Sequence, residues 1–178
     1  MKHFDRLADG ETTEALIGCA DLTRFAEIAR SGTLAGVYEL VRALAETSAE
    51  VIEPTSGQII KYIGDAVLTA FPADAADEGV RVLLDLRDRL LARLAPRGIG
   101  VTLAAHVGEV VVARMVPFAA VDIFGEAVNT AFTMDRRTHR GRLLISPQAF
   151  RRLAPGTRRR FHRHTPPIVY VAEDGGRA

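Results

Sequence analysis

The chain has no tryptophan, a single cysteine and only two lysines; of its 23 basic side chains the other 21 are arginine. The lone Cys19, inside the apolar run ALIGCA, cannot form an internal disulfide and reads as a buried thiol in a reducing compartment. A long uninterrupted apolar run is also missing. The longest apolar region, residues 101–121, is broken by His106, Glu109 and Arg114, so no membrane span is expected. The opening stretch MKHFDRLADGE carries charges where a secretory leader needs an apolar core, and a cytoplasmic location is expected. Neither GxxxxGK[ST] nor GxGxxG occurs, which excludes P-loop and Rossmann phosphate cradles. No linker, repeat or low-complexity stretch divides the 178 residues, so one domain spanning 1–178 is expected.

Hydrophobic content of 48% and charged content of 25% are those of a globular protein. The net charge is +1, yet residues 136–164 hold ten arginines and no acid. Such a segment suits phosphates, of a nucleotide or of a nucleic acid. No aromatic platform is interleaved with it, so a nucleic-acid partner is not expected.

The stretch GQIIKYIGDAVLTAF, residues 57–71, has the pattern of a β-hairpin: apolar, β-branched runs at 58–63 and 66–71 flank Gly64-Asp65. Asp65 then stands at the hairpin tip. Lys61, by alternation, faces the same way as Ile59 and Ile63 and interrupts an apolar face. It is either a solvated lysine or a pocket residue. In a chain so biased to arginine, a compact ammonium suits a narrow site that a guanidinium fork does not fit.

Upstream, residues 15–20 read as a short buried strand ended by Asp21. Leu22, Phe25 and Ile28 then fall on one helical face. Asp21 at such a junction is an N-cap or a carboxylate turned outward to a metal. Residues 34–52 and 73–95 read as helices, 101–107 and 109–116 as strands separated by Gly108, and 118–124 as a further strand. A helix over 126–140, a strand at 143–146, a short helix at 147–153 and a hairpin within 158–171 complete the pattern. The order β-α-β-β-α-β predicts an α+β, ferredoxin-like sheet of antiparallel strands with helices on one face. His106, at a strand end, reads as structural, and Phe4, Phe118 and Phe124 as core or interface.

Four segments carry a family resemblance: LIGCADLTRF, GQIIKYIGDAVLTAF, LAAHVGEVVVA and VDIFGEAVNTAFTMD. In this order and spacing they resemble the catalytic domain of class III nucleotidyl cyclases over roughly residues 14–150, leaving 151–178 as a basic tail. The resemblance implies two Mg²⁺ or Mn²⁺ ions per site, held by Asp21 and Asp65. It implies triphosphate contacts by the backbone near Leu22, Thr23 and Phe25. Lys61 and Asp122 match the positions that read adenine, and Asn129 the one that orients the ribose. The resemblance further implies a head-to-tail homodimer with composite sites. The implied reaction converts a nucleoside triphosphate, ATP favoured, to the 3′,5′-cyclic nucleotide and pyrophosphate.

The chain departs from the family pattern in three places. Thr133 stands where a transition-state arginine is expected, with Arg137 one helical turn on as the substitute. An LKG-like turn with the triphosphate lysine is lacking near the C-terminus. Arg24-Phe25 replaces Gly-Phe after the first aspartate. Two alternatives remain open: a pyrimidine cyclase of anti-phage signalling, and a weakly active nucleotide-binding or dimerisation module.

Overall fold

The computed structural model describes residues 1–116, 119–134 and 141–172. In chain order the elements are α1 His3–Arg6, β1 Thr12–Leu22, α2 Phe25–Ser31, α3 Leu34–Ile52, β2 Gln58–Ile63, β3 Ala66–Pro72, α4 Ala76–Leu94 and β4 Val101–Met115. Beyond these lie β5 Ala120–Phe124, α5 Glu126–Thr133, β6 Leu143–Ile145, α6 Pro147–Arg151, α7 Pro155–Arg158, β7 Phe161–His164 and β8 Val169–Ala172. One sheet runs β2-β3-β1-β4-β6-β8-β7, and β5 pairs with β4 off that path. The first four strands have the order expected of a ferredoxin-like core, and the mixed α+β class is as anticipated. The basic tail supplies β7 and β8, which join the same sheet.

The helices do not all lie on one face. Leu16, Ala20, Val67 and Phe71 pack against α3 and α4, whereas Ala15, Ile17, Leu68 and Ala70 pack against α5 and Phe4. The cause is legible in β1 and β3, whose residues are buried almost without alternation. A strand apolar on both sides requires cover on both sides. Cys19 is fully buried in β1, and its thiol donates to the Ala131 carbonyl at 3.7 Å.

Some expected boundaries move. β1 has 11 residues and includes Asp21 and Leu22, so Leu22 is a strand residue rather than a helical one. The two strands expected around Gly108 are one 15-residue strand, β4. Gly108 is not a turn. It pairs with Ala15, and a Cβ there would meet the Ala127 Cβ at 2.9 Å. Glycine at this point lets α5 lie close on the sheet. The helix expected over 126–140 ends instead at Thr133, where Met134 turns out of it at φ −51° and ψ 133°, and Arg137 falls outside the described residues.

A β-bulge at the Ile59/Lys61 step interrupts β2, Ile59 pairing with Thr69 and Lys61 with Leu68. The expected shared direction of Ile59, Lys61 and Ile63 is therefore broken. Ile59 packs on the helix-side core, while Lys61 and Ile63 line a cleft together. An extra residue in one strand re-aims the side chains beyond it.

Gly108→Ala forces a methyl into the α5 contact, and overpacking of this kind costs about 1–3 kcal/mol. The expected outcome is a fall of several degrees in the thermal midpoint. Calorimetry of the variant checks it; an unchanged midpoint would show that α5 does not depend on this close approach.

Candidate active site

The β2–β3 hairpin and β5 bring together two residues far apart in sequence. Lys61 Nζ donates to Asp122 Oδ2 at 2.7 Å, and Asp122 Oδ1 accepts the Ile123 N–H at 2.8 Å. The ammonium also lies 5.1 Å from the Phe124 ring centroid, within cation–π range. The two side chains are 36% and 14% exposed. The pair is therefore worth more than a surface ion pair and less than a fully buried one. It sits at a cleft of about 510 Å³ whose lining includes Lys61, Ile63, Phe124, Glu126, Asn129 and Phe132. An apolar slot with one donor and one acceptor at its edge is suited to a flat heteroaromatic ring.

Helix α5 starts immediately beyond that pair. Gly125, at φ 146°, comes so close to β4 that a Cβ would lie 3.0 Å from the Glu109 carbonyl. Asn129 then lies in the cleft lining. Thr133, one turn on, donates its hydroxyl to the Asn129 carbonyl at 2.8 Å, so it is turned back on the helix. Glu126 and Phe124 are cleft residues that the sequence pattern did not assign there. Their position between Asp122 and Asn129 was the available signal.

At the far end of β1 the backbones of the two aspartates lie side by side. Asp21 pairs in register with Ala66 of β3 and with Thr102 of β4. The Leu22 N–H donates to the Asp65 carbonyl at 3.2 Å, which sets the hairpin tip, with Gly64 at φ 61°, beside Asp21. Among the described residues no cluster of three or more His, Cys, Asp or Glu side chains is placed to hold a metal. Two carboxylates supply only hard oxygen donors, a set that fits Mg²⁺ when nucleotide oxygens complete the shell.

The next residues are tied inward. The Thr23 N–H donates to the Gly100 carbonyl at 2.9 Å, and its hydroxyl accepts the Gly100 N–H at 3.0 Å. The amides of Leu22 and Thr23 are thus engaged within the chain. Phe25, which opens α2, has an amide that a helix start leaves without an intrahelical acceptor. Arg24, where the family pattern has glycine, adopts φ 64° and pairs with Glu27 at 2.8 Å.

A second cleft, of about 520 Å³, lies on the other side of α5 and includes His106, Glu126, Thr130, Thr133, Gln148 and Pro167 in its lining. Among the described residues His106 Nδ1 is buried without a hydrogen-bond partner. Burial lowers the imidazole pKa from its ordinary value, and Glu126 opposes the shift.

Residues 9–175 match the family of adenylate and guanylate cyclase catalytic domains, and the chain belongs to that family. A monomeric crystal structure of the guanylyl cyclase domain of the RhoGC fusion protein from the aquatic fungus Blastocladiella emersonii superposes with a TM-score of 0.77 at 16% identity, over 93% of this chain and 98% of that one. The adenylyl cyclase CyaB from P. aeruginosa gives 0.76 at 16% identity, over 94% and 97%. At these identities the likeness is one of fold. An uncharacterized protein of Mycobacterium tuberculosis is 28% identical over 142 residues, 78% of this chain. The chain spans about a third of the length of that relative, 35%. No described helix is long and apolar enough to cross a membrane.

His106 sets a pH dependence of its own. Its folded pKa is lowered, so the folded state binds the proton less readily than the unfolded chain. Its stability contribution is therefore present above the unfolded value, 6.5, and is lost as pH falls below it. The lowered carboxylates, Glu27, Glu46 and Asp77, all titrate below 4.5, outside this window. Between about pH 7.5 and 5.5, the thermal midpoint should fall less in His106→Asn than in the parent. Parallel curves would show that the buried imidazole is not the cause.

Proposed function

We propose that the chain is a nucleotidyl cyclase that turns a nucleoside triphosphate, preferentially ATP, into its 3′,5′-cyclic nucleotide and pyrophosphate. The observation that carries the reading is the Lys61–Asp122 pair at the rim of the Asn129 cleft. An ammonium has three N–H donors, so Lys61 can keep its carboxylate partner and still donate to a ring nitrogen of adenine. Asp122 accepts from the exocyclic amine beside it. Guanine presents the opposite pattern, a ring N–H towards Lys61 and a carbonyl towards Asp122, so both base contacts are lost, a mismatch that can reach roughly 10⁴-fold in selectivity.

Asp21 and Asp65 would hold the divalent cations, whose chemistry when bound is to lower the pKa of the attacking hydroxyl and neutralise phosphate charge. Asn129 orients the ribose so that its 3′ oxygen meets the α-phosphorus. Phe124, Phe132 and Ile63 exclude water from the base. The family resemblance implies that Asp21 and Lys61 of one chain serve opposite sites, and on this reading the working unit is a head-to-tail homodimer with composite sites. The RhoGC domain has been crystallised both as a monomer and as a non-canonical dimer.

Product analysis with each of the four common NTPs and Mg²⁺ or Mn²⁺ tests the reading. ATP should exceed GTP, and Lys61→Glu with Asp122→Cys should move the preference towards GTP. Better turnover of UTP or CTP would replace the adenine reading with a pyrimidine one. Asp65→Ala should abolish turnover with the fold intact. Mixing it with Lys61→Ala should restore one working site per mixed dimer, and no recovery despite subunit exchange would count against a shared site.

A second reading, a nucleotide-binding or dimerisation module of little turnover, is favoured by Thr133. Its hydroxyl is spent on the helix where a cation would face developing negative charge. A preplaced cation there contributes about 3–4 kcal/mol. We infer that Arg137 supplies part of it and that the enzyme is slow. Thr133→Arg should raise turnover, while Arg137→Ala should lower it with nucleotide affinity little changed. If the first does nothing and the parent yields no product from any NTP, the module reading stands instead.

A further inference from the structure

The chain spends its second lysine on a structural task with consequences for the first. Lys2 Nζ donates to the carbonyls of Glu53 at 2.7 Å, Thr55 at 2.8 Å and Gly57 at 2.7 Å. Three acceptors saturate the donors of one ammonium. All three lie in the connection from the end of α3 to the start of β2. A cation is also favoured there by the helix dipole. From the same segment, the Asp5 carboxylate accepts from Gln58 Nε2 at 2.8 Å, and Gln58 is the first residue of β2.

On its other flank the segment is held by β4. Arg114 Nη2 donates to the carbonyls of Asp5 at 2.7 Å and Leu7 at 3.0 Å, and the Arg114 N–H donates to the Asp9 carboxylate at 2.8 Å. Arg114 pairs with Val121 of β5, one position from the pairing of Ala113 with Asp122. Between the flanks, Phe4 is fully buried in a core cluster that contains Ile123 and against which Ile60 packs. These are the immediate neighbours in sequence of Asp122 and Lys61.

The connection matters because no ladder joins the strands that carry the pair. β2 is the sheet edge beside β3, and β5 pairs with β4. Their separation is left to side-chain contacts. We propose that residues 2–9 form a brace that fixes β2 against the β4–β5 hairpin and thereby sets the Lys61–Asp122 contact. Lys2, Asp5 and Arg114 are then positioning residues for base recognition. That last role rests on the cyclase reading; the brace itself does not.

The lysine count makes the test direct. With isotope-labelled lysine the chain gives only two side-chain signals, and Lys2→Met leaves Lys61 alone. In Lys2→Met, the Lys61 signal should move towards its position in Asp122→Asn. Amide exchange in β2 should quicken roughly tenfold, the scale of a lost hydrogen bond to a charged group, while β1 stays at the parental rate. Gln58→Met, which removes a single side-chain bond on β2, should act in the same direction and carries the test if Lys2→Met does not fold. With nucleotides, KM should rise and the ATP-over-GTP preference should narrow more than kcat falls. Parental values for the Lys61 signal and for β2 exchange would overturn the brace, whatever the activity. If both move but the parent turns over no nucleotide, the brace stands and the cyclase reading fails.

Discussion

The constraint on which the structure depends is the complete pairing of β1. From Ala15 to Asp21 it is hydrogen-bonded to β3 on one side and to β4 on the other, and its side chains are buried on both faces. Such a strand has no room for an unpaired polar group in its middle. An acidic side chain is tolerated where the strand leaves the sheet, and Asp21 lies there. The same pairing sets the β2–β3 tip beside it through the Leu22 to Asp65 bond and locks the exit through Thr23 and Gly100. The proximity of the two aspartates is thus a by-product of the central ladder.

The other half of the site is organised by a close approach. Gly108 and Ala127 let α5 lie near β4, and Gly125 lets the helix begin without a loop. Asn129 is thereby delivered to one cleft, and Thr130 and Thr133 to its neighbour. A short helix with the small residues Ala127 and Ala131 inward works as a partition between the two clefts. Its N-terminal residue Glu126 borders both.

Against these backbone-determined parts, the Lys61–Asp122 contact is a tertiary closure. It joins an edge strand to a strand off the main path, and its geometry is set by a bulge, a buried phenylalanine and bonds from residues 2–9. Edge strands are the least restrained members of a sheet. A binding element placed there gains adjustability and needs outside support to be held in register.

The amino-acid sequence by itself determined the helices and hairpins and the residues that bear charge at their ends. Amphipathic spacing and capping are local, so α3 emerges at residues 34–52 as its periodicity predicts, with Thr33 capping Gly36. The family segments likewise pick out Asp21, Lys61, Asp65, Asp122 and Asn129. Only the tertiary structure decided that Gly108 is a packing contact rather than a turn. Whether a glycine serves a bend or a neighbour depends on what crosses it, and Ala127 is distant in sequence. Only the tertiary structure, too, revealed the bulge that parts Lys61 from Ile59, the cover on the second face of the sheet, and the use of Lys2 as a clasp. Each of these is settled by a partner many residues away, and periodicity carries no information about partners.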